Sequence, residues 1–266
     1  VSKALNRWYI FSDKAALVEK TLKANYKKGV YNNANTSQEL TMFLNTDIQA
    51  THKDKHLAVR YNPQMEKHLM TSTPDSIIKM EEEMMLQDDR ARNFDFIKVE
   101  KLPGNIGYIR WDGFAGNLPE VTPIMDGAFR FVANTKALII DMRYNGGGSP
   151  ETVLAMENYF FDKKIPMTHI ISFKKDTLKQ YIDPNKTTFK LRMPVYILTG
   201  KWTFSGAEDF TYGMKHSKRA IVVGDTSGGG AHPTDGFLVG QGFIANVPVA
   251  RSYSEYTKTD WEGTGV

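Results

Sequence analysis

The chain has 266 residues, 41% hydrophobic, 24% charged and 12% aromatic, and its 34 Lys and Arg against 30 Asp and Glu give a formal charge of +4. This balance excludes disorder and collagen-like repetition, and such a length buries roughly three quarters of its unfolded surface in one core, or in a core domain plus a smaller one. The absence of cysteine excludes disulfide frameworks, thiol nucleophiles and thiolate metal sites. No apolar run approaches the ~20 residues needed to cross a bilayer, and Val1 to Ile10 lack the apolar core of a signal peptide, so a soluble chain without a transmembrane segment is expected. The lysines are spread along the chain and form no basic stripe interleaved with aromatics, so no nucleic-acid partner is expected.

The first ninety residues read as helical. Asp13 to Lys28 carries Ala16, Leu17, Leu22 and Tyr26 ahead of Gly29, a helix stop. Thr36-Ser37-Gln38-Glu39 is a capping-box pattern before Leu40, Phe43, Leu44 and Ile48, whose spacing makes one apolar stripe. A third helix is expected over Ser76 to Arg92, with Met80, Met84 and Met85 as core filler and Glu81-Glu82-Glu83 as a wet face. These helices are expected to form a small bundle.

From Phe94 the pattern changes to strands alternating with helices, the signature of a layered α/β domain. Ile106 to Trp111 alternates as a half-buried strand. Thr122-Pro123 opens a helix, and Ala137 to Ile140 is an unbroken apolar run, as in a central strand covered on both faces. Ser149-Pro150 opens a helix to about Phe161. Val195 to Leu198 and Ala220 to Val223 read as further buried strands, with a helix over Ser205 to His216 between them. Phe237 to Val249, broken by Gly240-Gln241-Gly242, reads as a hairpin. The boundary is expected between residues 70 and 95, giving an N-terminal helical subdomain over 1–92 and a core domain over 93–266.

Three glycine-dependent turns follow the three apolar strands. Asp141 to Gly148 ends in Gly146-Gly147-Gly148, whose exposed amides suit an anion or a developing oxyanion, and the lack of a following Gly-Lys-Ser/Thr argues against a phosphate loop. Thr203-Phe204-Ser205-Gly206-Ala207-Glu208 presents a serine between strand and helix, with the Gly206 amide where a tetrahedral oxygen would sit. Ser205 with Glu208 also satisfies the pattern of a simple capping box. Gly224 to Pro233, containing Gly228-Gly229-Gly230-Ala231-His232, is placed to line a cleft at the same sheet edge.

Taken together, Leu138 to Gly148, Phe204 to Glu208 and Val222-Val223-Gly224-Asp225-Thr226 resemble the S41 family of serine peptidases, which includes tail-specific (C-terminal processing) proteases and the tricorn core protease. The likeness runs from about Ile97 to the end. Tyr26 to Tyr61, with Asp54-Lys55-His56-Leu57, resembles the N-terminal region of the branch containing interphotoreceptor retinoid-binding protein. The resemblance implies an α/β fold, a crotonase-like ββα core behind a small helical subdomain, and the chain shows no PDZ insertion. It implies Ser205 as nucleophile and Gly206, Gly147 and Gly148 as oxyanion-hole donors. The loop from Gly228 to His232 has no lysine, which argues against the Ser-Lys dyad of the tail-specific branch. The tricorn-like arrangement implies His56 as base and Glu262 as its supporting carboxylate, with Lys55 standing where tricorn-like members carry a serine. His232 is the rival base or, with Gly229 and Gly230, a residue of the substrate cleft.

Two functions follow from this resemblance. One is a serine endopeptidase cutting unstructured or C-terminal polypeptide segments through an acyl-enzyme on Ser205, with activity rising near pH 6 to 7 if a histidine is the base. The other is a non-catalytic module that holds a retinoid or other hydrophobic ligand, suggested by Tyr144, Trp202 and Phe204 around the glycine loops. No cofactor is expected, and no histidine pair has metal-ligand spacing. A polypeptide is the implied partner, and relatives of this pattern imply an exported protein.

Overall fold

The computed structural model describes residues 1–70 and 75–266. In chain order these form helices α1 (Ser2–Trp8), α2 (Ser12–Lys27) and α3 (Ser37–Thr51), strand β1 (Ala58–Tyr61), and helices α4 (Pro63–Met70) and α5 (Asp75–Ala91). Strands β2 (Phe96–Leu102) and β3 (Ile106–Trp111), helix α6 (Leu118–Val132), strand β4 (Ala137–Asp141) and helix α7 (Pro150–Glu157) follow. The rest comprises β5 (Thr168–Ser172), β6 (Thr177–Leu178), β7 (Val195–Thr199), α8 (Gly206–His216), β8 (Ala220–Gly224), β9 (Thr234–Gly240), β10 (Phe243–Pro248) and β11 (Ala250–Ser254). The described residues divide into two compact units, one of 1–78, 170–177 and 232–252, the other of 79–169, 178–231 and 253–266. Of the boundary expected near 70 to 95, residues 71–74 lie outside the described residues.

In the first unit the helices pack on an antiparallel sheet of order β1-β10-β9 rather than on each other alone. A bundle is therefore not what forms. The expected stripe on α3 buries only Ile48 completely, and the core is completed by Leu57 and Val59 of the β1 segment and by Ala245 and Val247 of β10. Helix α2 stops as expected, with Gly29 at φ 73°. Thr36 caps α3 through Oγ1, which accepts the Glu39 amide at 3.1 Å, while the Glu39 carboxylate accepts from Asn35, one residue before the usual box partner. The β9–β10 hairpin turns at Gly240-Gln241-Gly242 as expected, all three at positive φ.

The second unit is built on a five-stranded sheet of order β2-β3-β4-β7-β8, antiparallel at β2–β3 and parallel thereafter. Ile109, Trp111, Leu138, Ile140, Val195 and Ile197 are buried in one cluster with residues of α6, α7 and α8. Their neighbours Tyr108, Ile139 and Tyr196 are only half-buried, so β4 is central but thickly covered on one face, not two. Strand β8 is an edge strand, with Ile221 and Val223 exposed, contrary to the buried strand expected from its apolar run. Helix α6 begins a turn before Thr122, with Pro119 in the first turn, and Pro123 sits inside it. Met80, Met84 and Met85 of α5 are exposed and are not core filler. Because β4, β7 and β8 run parallel, their C-terminal ends, and the three glycine turns, open on one edge of the sheet.

Candidate active site

Strand β7 leads into a tight turn that presents Ser205 immediately before α8. The buried Thr203 ties the turn down, its Oγ1 donating to the Met142 carbonyl at 2.7 Å and accepting the Gly200 amide at 3.0 Å. Ser205 has φ 52° and ψ −119°. An ordinary capping serine lies in the β region, so this residue is more than a cap. Such backbone strain costs on the order of 1–3 kcal/mol and persists only where the surroundings over-determine it. Here the Ser205 amide donates to Glu208 Oε2 at 2.9 Å, while the amides of Glu208 and Asp209 converge on the Ser205 carbonyl. The result is a serine on a strained strand-to-helix elbow.

The Gly146-Gly147-Gly148 stretch runs alongside this elbow. Gly147 has φ 98°, and a methyl group on it would meet the Gly206 amide nitrogen at 2.7 Å and Ser205 Cβ at 2.8 Å. Gly148 has φ 138°, and its methyl group would come within 2.1 Å of the Phe114 carbonyl oxygen. Only glycine permits this approach. The buried Asn145 donates from Nδ2 to the Trp111 carbonyl at 2.8 Å and accepts the Gly147 amide on Oδ1 at 2.8 Å. The Gly147 N–H, expected among the oxyanion donors, is thus taken up inside its own loop. Gly206 and Gly148 lie side by side at the elbow, a methyl group at Gly206 lying 3.2 Å from the Gly148 nitrogen.

Glu208 is the residue whose importance was least visible in the sequence, where it read as the far end of a capping box. It is fully buried. Besides Ser205, its carboxylate accepts from Ser227 Oγ at 2.6 Å, the Gly229 amide at 2.6 Å and the Gly230 amide at 2.8 Å. Burial pushes its pKa up, against the pull of these donors. Gly229 and Gly230 are themselves buried; with their amides turned onto Glu208, they brace the elbow rather than line an open cleft. Trp261 Nε1 donates to the Gly230 carbonyl at 2.8 Å, and the Ala231 amide donates to Glu262 Oε2 at 2.6 Å. Glu262 is half-buried in the same unit as Ser205.

The two candidate bases belong to the first unit. Asp54, fully buried, accepts the His56 amide on Oδ1 at 3.1 Å, and on Oδ2 both the Tyr9 hydroxyl at 2.8 Å and His232 Nδ1 at 2.8 Å. Burial works to raise the Asp54 pKa, but His232, Tyr9 and the His56 amide together bring it below the ordinary carboxylate value. His232 is buried and packs edge-on to Phe11 with ring centroids 5.1 Å apart. Burial lowers the His56 ring to about 4, Asp54 opposing and His232 adding to the shift. Its titration therefore falls well below the pH 6 to 7 expected of an unperturbed histidine. The pairing of Asp54 with His232 was not visible in the sequence, since 178 positions separate them.

Comparison with known proteins bears on this arrangement. The model of peptidase family S41 matches residues 105–266, and that of the N-terminal domain of Peptidase_S41 in eukaryotic IRBP matches residues 1–99. The chain is 27% identical over 172 residues to carboxyl-terminal-processing peptidase 2, chloroplastic, of Arabidopsis thaliana, covering 62% of this chain and 33% of that protein. It thus spans about a third of that relative's length. Among solved structures it is similar to the photosystem II D1 C-terminal processing protease, with TM-score 0.51 and 23% identity over 62% of this chain and 42% of that one. It is also similar to a lipoprotein from Streptococcus agalactiae, with TM-score 0.62 and 12% identity over 100% and 87%. At these identities the structures speak to the fold, which is the mixed α/β architecture described above. On the match across its core and N-terminal region, the chain belongs to peptidase family S41.

Proposed function

We propose that this chain is a serine endopeptidase that cleaves unstructured or C-terminal polypeptide segments, with Ser205 as nucleophile, His56 as general base and Glu262 as the carboxylate that orients the base. The observation that carries the reading is the strained Ser205 at the head of α8, with the Gly206 and Gly148 amides beside it. In the reaction, the Ser205 hydroxyl gives its proton to the neutral imidazole as Oγ bonds to the substrate carbonyl carbon. The carbonyl oxygen becomes an oxyanion that accepts from Gly148 and Gly206. The imidazolium then protonates the departing amine as the C–N bond breaks, and water repeats the sequence on the acyl-enzyme. A ring held neutral by burial is ready to accept a proton at pH 7, although its low basicity leaves more of the work to the oxyanion donors.

His56 is supported by the likeness of Asp54-Lys55-His56-Leu57 to the family's N-terminal region. One observation favours a second base: His232 holds Nδ1 against the buried Asp54, as a carboxylate-oriented catalytic histidine does. A non-catalytic module for an apolar ligand is the second functional reading, favoured by the match to the N-terminal domain described from eukaryotic IRBP. An exported protein is consistent with relatives named chloroplastic and lipoprotein. Hydrolysis of fluorescein-labelled casein tests the proposal. Activity is expected in the parent, none in Ser205→Ala, and a loss of about 100-fold or more in His56→Ala. Full activity in Ser205→Ala overturns the reading, and a loss confined to His232→Ala moves the base to His232.

A further inference from the structure

Two aromatic rings stand out in solvent beside the elbow. Trp202 is 74% exposed and Tyr144 53% exposed, whereas Trp111 and Trp261 are buried. Trp202 lies three residues before Ser205, and Tyr144 three before Gly147. Neither ring stands on a loose loop. The Trp202 turn is closed by the Thr203 amide on the Gly200 carbonyl and anchored by the Thr203 side chain on Met142. The Tyr144 ring rests on the Arg110 guanidinium, 4.6 Å from its centroid, and that guanidinium is itself forked onto Asp112 at 2.9 and 2.6 Å. The two turns adjoin: the Phe204 amide donates to the Asn145 carbonyl at 3.0 Å, and a methyl group at Gly200 would lie 3.3 Å from the Arg143 carbonyl oxygen.

Exposing a tryptophan on a braced turn forgoes burial that folding otherwise favours, so the turn displays the ring rather than failing to cover it. The two arginines beside the Tyr144 turn are matched, Arg110 by Asp112 and Arg143 by the buried Asp141, and Lys201 precedes Trp202 in the chain. What the rim offers is flat apolar surface next to the reacting centre. We infer that Trp202 and Tyr144 form a ledge that grips a large apolar side chain of the bound polypeptide next to the bond presented to Ser205, so that the protein selects unfolded segments rich in such residues. The inference rests on Ser205 being the nucleophile.

The test uses Ser205→Ala protein and two fluorescein-labelled Gly/Ser peptides, one with a central Phe-Leu pair and one with Ser-Ser, followed by anisotropy. The Phe-Leu peptide is expected to bind about tenfold more tightly, as burial of one large side chain implies. Adding Trp202→Ala is expected to bring the two peptides within about twofold of each other, and Tyr144→Ala to narrow the gap independently. Undiminished discrimination in both variants overturns the inference, as does absence of binding by both peptides or retinol taking the place of the Phe-Leu peptide. Parent protein separates the two proposals. Preferential binding of Phe-Leu peptide without hydrolysis of either refutes the peptidase reading, and with it the placing of the ledge beside a bond to be cut, while leaving an apolar binding surface at Trp202 and Tyr144. Hydrolysis of both at equal kcat/KM refutes the ledge and leaves the peptidase reading standing.

Discussion

Replacing Glu208 by Gln preserves the side-chain volume while changing what the site can accept. The native carboxylate meets four donors, the Ser227 hydroxyl and the amides of Ser205, Gly229 and Gly230, two on each oxygen. Ser227 cannot turn its proton elsewhere without cost, because its oxygen already accepts the Val266 amide at 2.7 Å. A glutamine keeps one acceptor oxygen and points an NH2 group at the other two donors. Each buried group left unsatisfied costs about 1–3 kcal/mol, so Glu208→Gln is expected to lose about 2–6 kcal/mol. Against a typical stability of about 5–15 kcal/mol that is a large fraction. The assay is urea unfolding followed by far-UV circular dichroism, with the rate of phosphonate capture by Ser205 measured on the same protein. A loss below about 1 kcal/mol with an unchanged capture rate refutes the argument that this carboxylate holds the elbow in its strained form.

Gly148→Ala, whose methyl group would lie 2.1 Å from the Phe114 carbonyl oxygen, is expected to displace an oxyanion donor and lower kcat about 100-fold or more; kcat within threefold of the parent contradicts this. Asp54→Asn keeps one acceptor oxygen for the three groups Tyr9, His232 and the His56 amide and turns an NH2 group on the remainder, and is expected to cost about 2 kcal/mol in urea unfolding. With His56 as base and its ring lowered to about 4 by burial, the acid limb of kcat/KM is expected near pH 4, and a limb at pH 6.5 argues for another group. The same shift couples stability to pH: between about 4 and 6.5 the unfolded chain holds the extra proton, so stability rises with pH across that window, by at most about 3 kcal/mol, and His56→Gln removes that slope.

The edge of the sheet that carries the candidate site was legible because its signals are local. An apolar run followed by glycines marks a buried strand and a turn of unusual dihedrals, and three such marks on parallel strands meet at one edge. Packing between distant segments was not legible. The sheet of the first unit joins residues 58–61 to 234–248, and no pattern near either announces the other. Strand β8 looked buried because Ala220 to Val223 are all apolar, yet edge position is set by what lies beyond, not by the strand itself. Glu208 shows the same limit at the site: its spacing from Ser205 revealed one bond, while the three to the loop after β8 depend on tertiary structure. The family resemblance implies a donor's role for Gly147, and only the position of the Asn145 side chain shows its amide already engaged.

The most direct measurement is stoichiometric labelling with a serine-directed phosphonate, with the adduct mapped by peptide mass spectrometry. One adduct per chain, on Ser205, absent from Ser205→Ala and slowed in His56→Ala, is the expected result. A protein that stays unlabelled at saturating phosphonate, or that carries its adduct on another residue, contradicts the claim that the strained serine at the head of α8 is an activated nucleophile.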